Sequence, residues 1–409
     1  MTRVSPGFGP DRRARRRVHA VAKWRVSVVH LVTRSHGRGA EKVALALAAA
    51  LSTAAAPHGV LALAPAFDGS CLDGLPALLD RPPLGAPALA RAAVRLRRQL
   101  DRSAGAVRLV VAHGGSATIV AVAAAGLLRR GRRPAVVWQR ILPFPSSVDR
   151  GVRRLAWRAV ARRVDLAVAL TDEIAAETRD LAPELPVVVI PNFRDRRRFA
   201  GIDRVSARRE LLTQIEPTPA ESATTEAAEP RLVGLVGHLI EQKQPLDAVA
   251  AFAELRARGL HVELVIAGDG PLGARVDAEA ERLGLTESVH RLGQVADVAP
   301  LLAALDVLIL TSRAEGVPGI LIEAQMCGLP VVSYPVGGVA TVIDSGRTGI
   351  IVADPTPGAV ADAVATLLGD DEMLAAMGER ALEDSAQFDT ASAVSRYKQH
   401  FAVLVPVAE

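Results

Sequence analysis

The stretch Ser312–Gly338, SRAEGVPGILIEAQMCGLPVVSYPVGG, decides the fold prediction for this chain of 409 residues. The apolar run Leu305–Leu310 precedes it and predicts a buried strand. The short acidic loop Glu315-Gly316 follows, and then a helix that carries Glu323 inside an apolar run. Gly328 ends this helix, and another apolar strand begins directly after it. The pattern is therefore strand, loop, helix, strand, with one carboxylate in the loop and another in the helix.

This arrangement predicts a site for a phosphorylated sugar. A helix N-terminus at the carboxyl end of a parallel strand offers free backbone N–H groups and partial positive charge to a phosphate. Ionised carboxylates beside it accept hydrogen bonds from vicinal hydroxyls. The alternative is a purely structural helix start, with Glu315 solvated and Glu323 paired with an arginine, and this stretch alone supports both interpretations.

Alternating apolar strands and helices continue in both directions from this stretch. Such repetition predicts an α/β fold with two Rossmann-like, doubly wound domains that face each other across a cleft. The predicted organisation is a disordered basic tail (1–23), a first Rossmann-like domain (24–195), a linker with a low-complexity insertion (196–230), a second Rossmann-like domain (231–385) and a C-terminal helical segment (386–409).

Charge is unevenly distributed along the chain. Residues 1–200 hold 34 Lys and Arg against 14 Asp and Glu, and the remainder holds 15 against 30. We expect the first domain to face an anionic membrane surface or a phosphorylated or lipid-linked acceptor, although solvated arginines explain the excess equally simply. Few aromatic residues and the absence of a recognition motif argue against nucleic acid.

The compartment prediction is cytoplasmic, with peripheral contact at the inner face of a membrane. The only two cysteines, Cys71 and Cys327, are far apart in the sequence and predict free thiols. No apolar run is long enough to span a bilayer. The segment Arg150–Arg163 predicts a basic helix with an apolar stripe that would lie on anionic lipid or, as we favour, pack on its own sheet.

The spacing Glu315, seven residues, Glu323, followed by GLPVVSYPVGG, resembles the donor-site signature of the retaining family-4 glycosyltransferases, which have the GT-B fold. The resemblance extends from about Trp24 to the end of the chain. It implies that 24–195 is the acceptor-side domain, that 231–385 is the nucleotide-sugar-binding domain, and that the helix in 386–409 packs back toward the first domain. Lys243 matches a phosphate-binding lysine of that family, while His238 stands where an arginine is usual, which predicts weaker phosphate binding.

Two further segments resemble the same family. Gly39, in a loop after the first strand, matches a glycine that approaches the donor or acceptor, and His113, at a strand end, resembles a histidine beside the reacting sugar. A lone histidine is also often structural. The turn Ala267–Pro271 matches the family's turn after the second strand of the nucleotide-binding domain and is assigned a structural role.

The resemblance implies retaining transfer of a hexose from a nucleoside diphosphate sugar to an acceptor hydroxyl, in glycolipid, polysaccharide or cell-envelope glycan synthesis. It implies no metal ion and no cofactor besides the donor substrate. Glu323 would bind the ribose and Glu315 the donor sugar. The implied catalytic residues are Glu315, Lys243 and His113, and the implied donor-binding residues are Glu323, His238, Gly237, Gly316, Val317, Gly319, Ile320 and Gly39.

Three alternatives stay open at this stage. A protein of the same fold could hydrolyse or epimerise a nucleotide sugar. It could also bind one without catalysis, because Arg38, His238 and Thr341 depart from the family pattern. A nicotinamide-dependent dehydrogenase is the least consistent with the sequence, because the loop after the first strand lacks the third glycine of its fingerprint.

Overall fold

The computed structural model describes residues 26–35, 39–65, 75–80, 85–144, 151–215 and 229–405. The predicted basic tail, Gly37, Arg38, Cys71 and most of the predicted insertion lie outside the described residues. The described part contains two six-stranded parallel sheets with helices on their faces, which confirms the predicted fold class. None of its helices is both long and apolar enough to cross a lipid bilayer.

The first domain is built on six strands. They are β1 (Val28–Arg34), β2 (His58–Ala64), β3 (Leu109–His113), β4 (Ala135–Arg140), β5 (Leu166–Ala169) and β6 (Val187–Val189). Their spatial order is β2-β1-β3-β4-β5-β6. The helices between them are α1 (Gly39–Leu51), α2 (Ala86–Arg102), α3 (Gly115–Gly126), α4 (Gly151–Ala161) and α5 (Asp172–Leu181).

The second domain begins with helix α6 and repeats the architecture. Its strands are β7 (Arg231–Val236), β8 (Val262–Ala267), β9 (Val289–Gly293), β10 (Val307–Leu310), β11 (Val331–Ser333) and β12 (Gly349–Ile351), in the spatial order β12-β11-β10-β7-β8-β9. Its helices are α6 (Arg204–Ile215), α7 (Pro245–Ala257), α8 (Gly273–Arg282), α9 (Ala299–Ala304), α10 (Gly319–Met326), α11 (Val339–Val342), α12 (Pro357–Leu368) and α13 (Asp371–Asp384).

The central strands are apolar throughout because helices cover both faces of each sheet. All five residues of β3 and all four residues of β10 are buried. Along each strand, alternate side chains enter different cores: Val110 packs with α2 and α3, whereas Val111 packs with α1 and the C-terminal helix. Burial on both faces of the sheet holds the strand ends in place. The loops that follow these ends carry the candidate site.

Helix α6 lies within the predicted linker but packs as part of the second domain. The segment 196–230 was expected to be a linker with an insertion, but Ala207, Leu211 and Ile215 are buried in the core of the second domain, with Leu232 and Leu302. These three residues recur every four positions, which is the spacing of one helix face. Arginines and polar residues between them masked the pattern in the sequence. The second domain therefore starts earlier than residue 231.

The last helix, α14 (Thr390–Leu404), returns from the second domain to the first. Ala393, Tyr397 and Phe401 are buried with residues of β3 and α1. The Tyr397 hydroxyl donates to Oε1 of Gln139 on β4 over 2.8 Å. The chain thus crosses between the domains twice, once after β6 and once before α14.

Helix α4 packs on the first domain by a narrower face than we favoured from the sequence. Trp157 and Val160 are half-buried and contact the core, and Ala161 is buried in it. Val152 is 82% exposed and Leu155 is 64% exposed, so much of the apolar stripe faces outward. The reason is the indole of Trp157, which stacks on the Trp138 ring at 5.2 Å and makes its own side of the helix the packed one.

Candidate functional site

The carboxyl ends of the two sheets meet at a cleft, and the loop between β10 and α10 lies within it. A Cβ atom at Gly316 would lie 2.7 Å from the carbonyl oxygen of Ile141, in the loop after β4. The side-chain amide of Asn192, just after β6, donates to the carbonyl oxygen of Val317 over 2.6 Å. Gly316 thus has no room for a side chain, and its loop is held against the first domain.

Glu315 and Lys243 form an ion pair on the second-domain side of this cleft. Lys243 comes from a 3₁₀ helix, Glu241–Lys243, that follows β7, and Glu315 follows β10, its neighbour in the sheet. The Glu315 side chain is only 9% exposed, so the expected alternative of a solvated Glu315 is wrong. One Lys243 N–H reaches Glu315, which leaves two for another partner.

Glu323 pairs with Arg194, a residue that the sequence analysis did not single out. The Arg194 Nε atom donates to Glu323 Oε1 over 2.5 Å, and both side chains are less than one-fifth exposed, at 19% and 18%. Pairing with an arginine was the structural alternative for Glu323. The Arg194 guanidinium lies on the first turn of α10 and Glu323 begins its second turn, where the functional interpretation places the nucleotide. Arg194 could have been suspected only as a charged residue just after a strand.

The first turn of α10 has the features of an anion site. Pro318 precedes the helix, and no described side chain caps its N-terminus. Gly319 and Ile320 begin the helix, so their backbone N–H groups point toward the cleft. A Cβ atom at Gly319 would fall 1.6 Å from Nη2 of Arg194. A glycine is therefore required for the arginine to lie on this turn.

Gly237 and His238 lie at the end of β7, beside the turn that begins with Gly268. A Cβ atom at Gly268 would meet the Gly237 carbonyl oxygen at 1.8 Å, so the predicted structural role of this turn is close backbone packing. His238 Nδ1 bonds to the carbonyl oxygen of Asp269 at 2.5 Å. A carbonyl only accepts, so Nδ1 carries the proton. The neutral imidazole then has a lone pair on Nε2, and only the imidazolium could donate to a phosphate.

His113 ends β3 at the cleft edge of the first domain, but its ring is buried in a chain of three histidines. His30 Nδ1 lies 3.2 Å from His113 Nε2, and His30 Nε2 lies 3.0 Å from His58 Nδ1. Burial lowers the pKa of His113 to about 3 and that of His58 to about 4. Burial, with His113 and His58 adding to it, also lowers the pKa of His30. All three are neutral near pH 7. His113 is thus the last residue of β3, at the cleft edge, and its ring is hydrogen-bonded to His30 in the core.

Gly39 is at the first position of α1 and is exposed. A Cβ atom built there would contact nothing within 4 Å, so packing does not require glycine at this position. Its neighbours Gly37 and Arg38 lie outside the described residues, and no backbone hydrogen bond described for Gly39 joins it to the α10 turn.

Arg140, at the end of β4, is a second residue that the sequence analysis missed. Its side chain is 2% exposed and donates to Glu177 over 2.5 Å, to the Thr178 hydroxyl and to the Leu142 carbonyl. Burial lowers the pKa of Arg140, and Glu177 opposes that shift. The guanidinium thereby holds the loop after β4, whose Ile141 carbonyl meets Gly316.

Two family descriptions match this chain in succession. Residues 37–198 match Glycosyltransferase Family 4, and residues 219–384 match Glycosyl transferases group 1. Together they cover every strand of the two sheets except β1, and they include the α10 turn. The chain belongs to glycosyltransferase family 4. The residues described above are therefore the site candidates of a member of this family.

Relatives of this chain include the N-acetyl-alpha-D-glucosaminyl L-malate synthase of Bacillus anthracis, 32% identical over 57% of this chain and 58% of that protein. The D-inositol 3-phosphate glycosyltransferase of Corynebacterium jeikeium (strain K411) is 31% identical over 60% of this chain and 59% of that one. These matches span little more than half the length of either relative.

Solved structures share the fold of this chain at low sequence identity. Anabaena HepE, in complex with UDP and glucose, has a TM-score of 0.73 at 20% identity and covers 92% of this chain and 99% of its own. WaaG, a glycosyltransferase involved in lipopolysaccharide biosynthesis, has a TM-score of 0.68 at 18% identity and covers 93% and 100%. Both likenesses support the GT-B architecture.

Proposed function

We propose that this protein transfers a hexose from a nucleoside diphosphate sugar to an acceptor hydroxyl, with retention of anomeric configuration, in the synthesis of a glycolipid, polysaccharide or cell-envelope glycan. The observation that carries the proposal is the placement of Glu315, Lys243 and Glu323 around the uncapped first turn of α10. Family membership and the UDP bound to Anabaena HepE support a nucleotide-sugar donor, so UDP is the first nucleotide to test.

Donor binding uses the polar atoms that the ion pairs leave available. Glu323 Oε2 has no hydrogen-bond partner among the described residues and would accept from a ribose hydroxyl. The N–H groups of Gly316, Val317, Gly319 and Ile320 would hold phosphate and sugar oxygens at the helix N-terminus, where Pro318 has no N–H to donate. Glu315 would accept from a hydroxyl of the donor sugar. These contacts would fix the donor with its diphosphate against α10.

In the proposed transfer, the bond between the anomeric carbon and the diphosphate oxygen breaks, and the acceptor oxygen forms its bond to the same face of that carbon. The hydroxyl proton passes to the departing phosphate oxygen, so no dedicated nucleophile is required. Lys243 and the α10 N–H groups would stabilise the negative charge on the diphosphate. His113, kept neutral by burial, would contact the sugar from the first-domain edge. The reaction uses the donor as substrate and no cofactor.

Calorimetric titration with UDP, GDP and ADP tests the donor site. We expect one nucleotide to bind to the wild-type protein and Glu323→Ala to lose that binding, whereas the matched control Glu379→Ala, exposed on α13, keeps it. Transfer assays with the sugars of that nucleotide follow, with the product anomer determined by NMR. Absence of binding by all three nucleotides, or release of free sugar without transfer, would contradict the proposal. An inverted product would contradict retention.

We also propose that the acceptor is lipid-linked and is met at the anionic cytoplasmic face of a membrane. Leu142, 54% exposed, lies 3.5 Å from a Cβ position at Gly316, so an exposed apolar residue directly adjoins the donor site. The ring of Phe144, in the same loop, lies 5.2 Å from Trp157 of α4, which joins this loop to the exposed stripe of α4.

The outward face of α4 has the composition of a lipid-contacting helix. Val152 and Leu155 are exposed, and so are Arg153 and Arg162. Apolar side chains beside arginines suit the boundary of an anionic lipid surface. This surface would place a lipid-linked hydroxyl near α10.

Vesicle flotation at low salt tests the membrane contact. The wild-type protein should float with vesicles containing anionic lipid and not with neutral ones, and added salt should release it because salt screens the arginines. Leu155→Glu should reduce flotation, whereas Leu382→Glu, 40% exposed on α13, should not. Equal flotation with anionic and neutral vesicles would contradict the electrostatic part, and no flotation at all would contradict the membrane contact.

A further inference from the structure

Arg194 is fixed by the backbone where the chain crosses between the domains. Its N–H donates to the Phe388 carbonyl over 2.9 Å, and its own carbonyl accepts from the Thr390 N–H over 2.9 Å. These two bonds join the outgoing crossing, after β6, to the returning crossing, before α14. The starting point of the Arg194 side chain is therefore set relative to both domains.

The Arg194 guanidinium lies on the first turn of α10, and its three nitrogens have different surroundings. Nε donates to Glu323 over 2.5 Å, and Nη1 donates to the Phe193 carbonyl over 2.9 Å. Nη2 has no hydrogen-bond partner among the described residues and lies where a side chain at Gly319 would be. The Nε atom of the guanidinium thus binds Glu323, and Nη2 is available to a ligand over the helix N-terminus.

A cation at this place is unfavourable unless an anion joins it. The N-terminus of a helix carries partial positive charge, which repels a guanidinium. Glu323 offsets this repulsion with one carboxylate, and Lys243 nearby is already neutralised by Glu315. An incoming diphosphate at this turn would meet the free Arg194 N–H and the helix N–H groups, and Lys243 is held by Glu315, four residues before the helix begins. Arginine is suited to such a site because its planar fork matches phosphate oxygens.

We propose that Arg194 is a donor-binding residue, which orients Glu323 for the ribose through Nε and donates from Nη2 to a phosphate of the nucleotide. This inference rests on the proposed function, since it assigns a partner to the same site. It makes the crossing segment part of the donor site, so a nucleotide would also contact the connection between the two domains.

The test compares a nucleotide with its nucleoside, because only the nucleotide has the phosphates. Dissociation constants are measured for UDP by calorimetry and for uridine by ligand-observed NMR, or for GDP or ADP and the matching nucleoside if the wild-type protein selects one of them. Arg194→Gln should weaken UDP binding by about 10- to 100-fold, as expected for loss of a charged hydrogen bond. Uridine binding should change by much less, about threefold or less.

Arg194→Lys keeps the charge without the fork and should lie between Gln and wild type, and it serves as the second variant if Arg194→Gln does not fold. Arg196→Gln is the matched control, because Arg196 is in the same segment and donates to Leu382 away from α10. Equal weakening of UDP and uridine would overturn the phosphate contact, because Arg194 would then act through Glu323 alone.

Unchanged binding in Arg194→Gln would reduce the pair to a structural link, and tighter UDP binding would make Arg194 a competitor of the donor. Either result overturns the inference while leaving the proposed function intact. A wild-type protein that binds none of UDP, GDP and ADP would overturn the proposed function itself.

Discussion

Acidification from about pH 7.5 to about pH 5.5 should destabilise the first domain through its three hydrogen-bonded histidines. His30 and His113 are buried on the adjacent strands β1 and β3. His58 bonds to the other side of the His30 ring and is partly buried. The folded-state pKa of each lies below the value of about 6.5 in an unfolded chain. The unfolded state therefore binds more protons, and stability that is complete above about pH 6.5 is lost as the pH falls toward the folded-state pKa.

The size of the loss follows from the buried members. Each histidine whose folded-state pKa lies below about pH 5.5 should lower the free energy of unfolding by about 1.4 kcal/mol between about pH 7.5 and about pH 5.5. The reason is that its unfolded form takes up a proton at about pH 6.5 and its folded form does not. His30 and His113 together should cost about 3 kcal/mol. His58 contributes less because solvent reaches part of its ring and screens its charge. A loss of this size is a large share of the roughly 5–15 kcal/mol that stabilises a typical protein.

Tryptophan fluorescence during urea denaturation measures this loss of stability in the first domain, which contains the three histidines. All three tryptophans of the chain, at positions 24, 138 and 157, precede the second domain. His113→Gln should reduce the acid-induced loss by about 1.4 kcal/mol, whatever it costs at the higher pH. His261→Gln, an exposed histidine in the second domain, should leave the loss unchanged. If His113→Gln and the wild-type protein lose equal stability between the two pH values, the assignment to the buried histidines is wrong.

Three substitutions test contacts elsewhere. Tyr397→Phe removes the bond from α14 to Gln139 and should cost about 1–2 kcal/mol of unfolding free energy in urea, and no cost would mean that this crossing contact is weak. Asp306→Ala removes the acceptor of the Leu232 N–H and one of several partners of Arg208, so it should cost about 1–3 kcal/mol of unfolding free energy, and no cost would contradict the pairing. Gly337→Ala is strained at φ +48° and meets the Glu315 carbonyl at 1.9 Å, so calorimetry should show at least about tenfold weaker nucleotide binding, and wild-type affinity would contradict this.

The sheet architecture was predictable because its signals are local. The apolar run Leu305–Leu310 contains β10, and the expected helix after it is α10, which starts one residue after Pro318. Double burial makes such strands continuously apolar, and a proline suits the first turn of a helix, so neither signal needs information from distant residues. The same reasoning predicted Glu315 in the loop after β10 and Glu323 in the helix that follows.

Prediction failed where the packed face could not be read from composition. The sequence predicts a linker where helix α6 forms, because the buried residues of this helix, four apart, are diluted by charged ones. In α4 the sequence showed an apolar stripe but not which part of it packs, because that depends on Trp138 and Phe144, which meet Trp157 only in the folded chain.

The sequence by itself determined the alternation of strands and helices, the two domains and the positions of the acidic residues along the chain. Only the tertiary structure decided their partners: Arg194 and Glu323 are 129 residues apart, and His30 and His113 are 83 apart. Periodicity reports which face of an element is buried, over a few residues at a time. The partner of a charge depends on which strand ends and crossings the fold brings together, and no local pattern in the sequence contains that information.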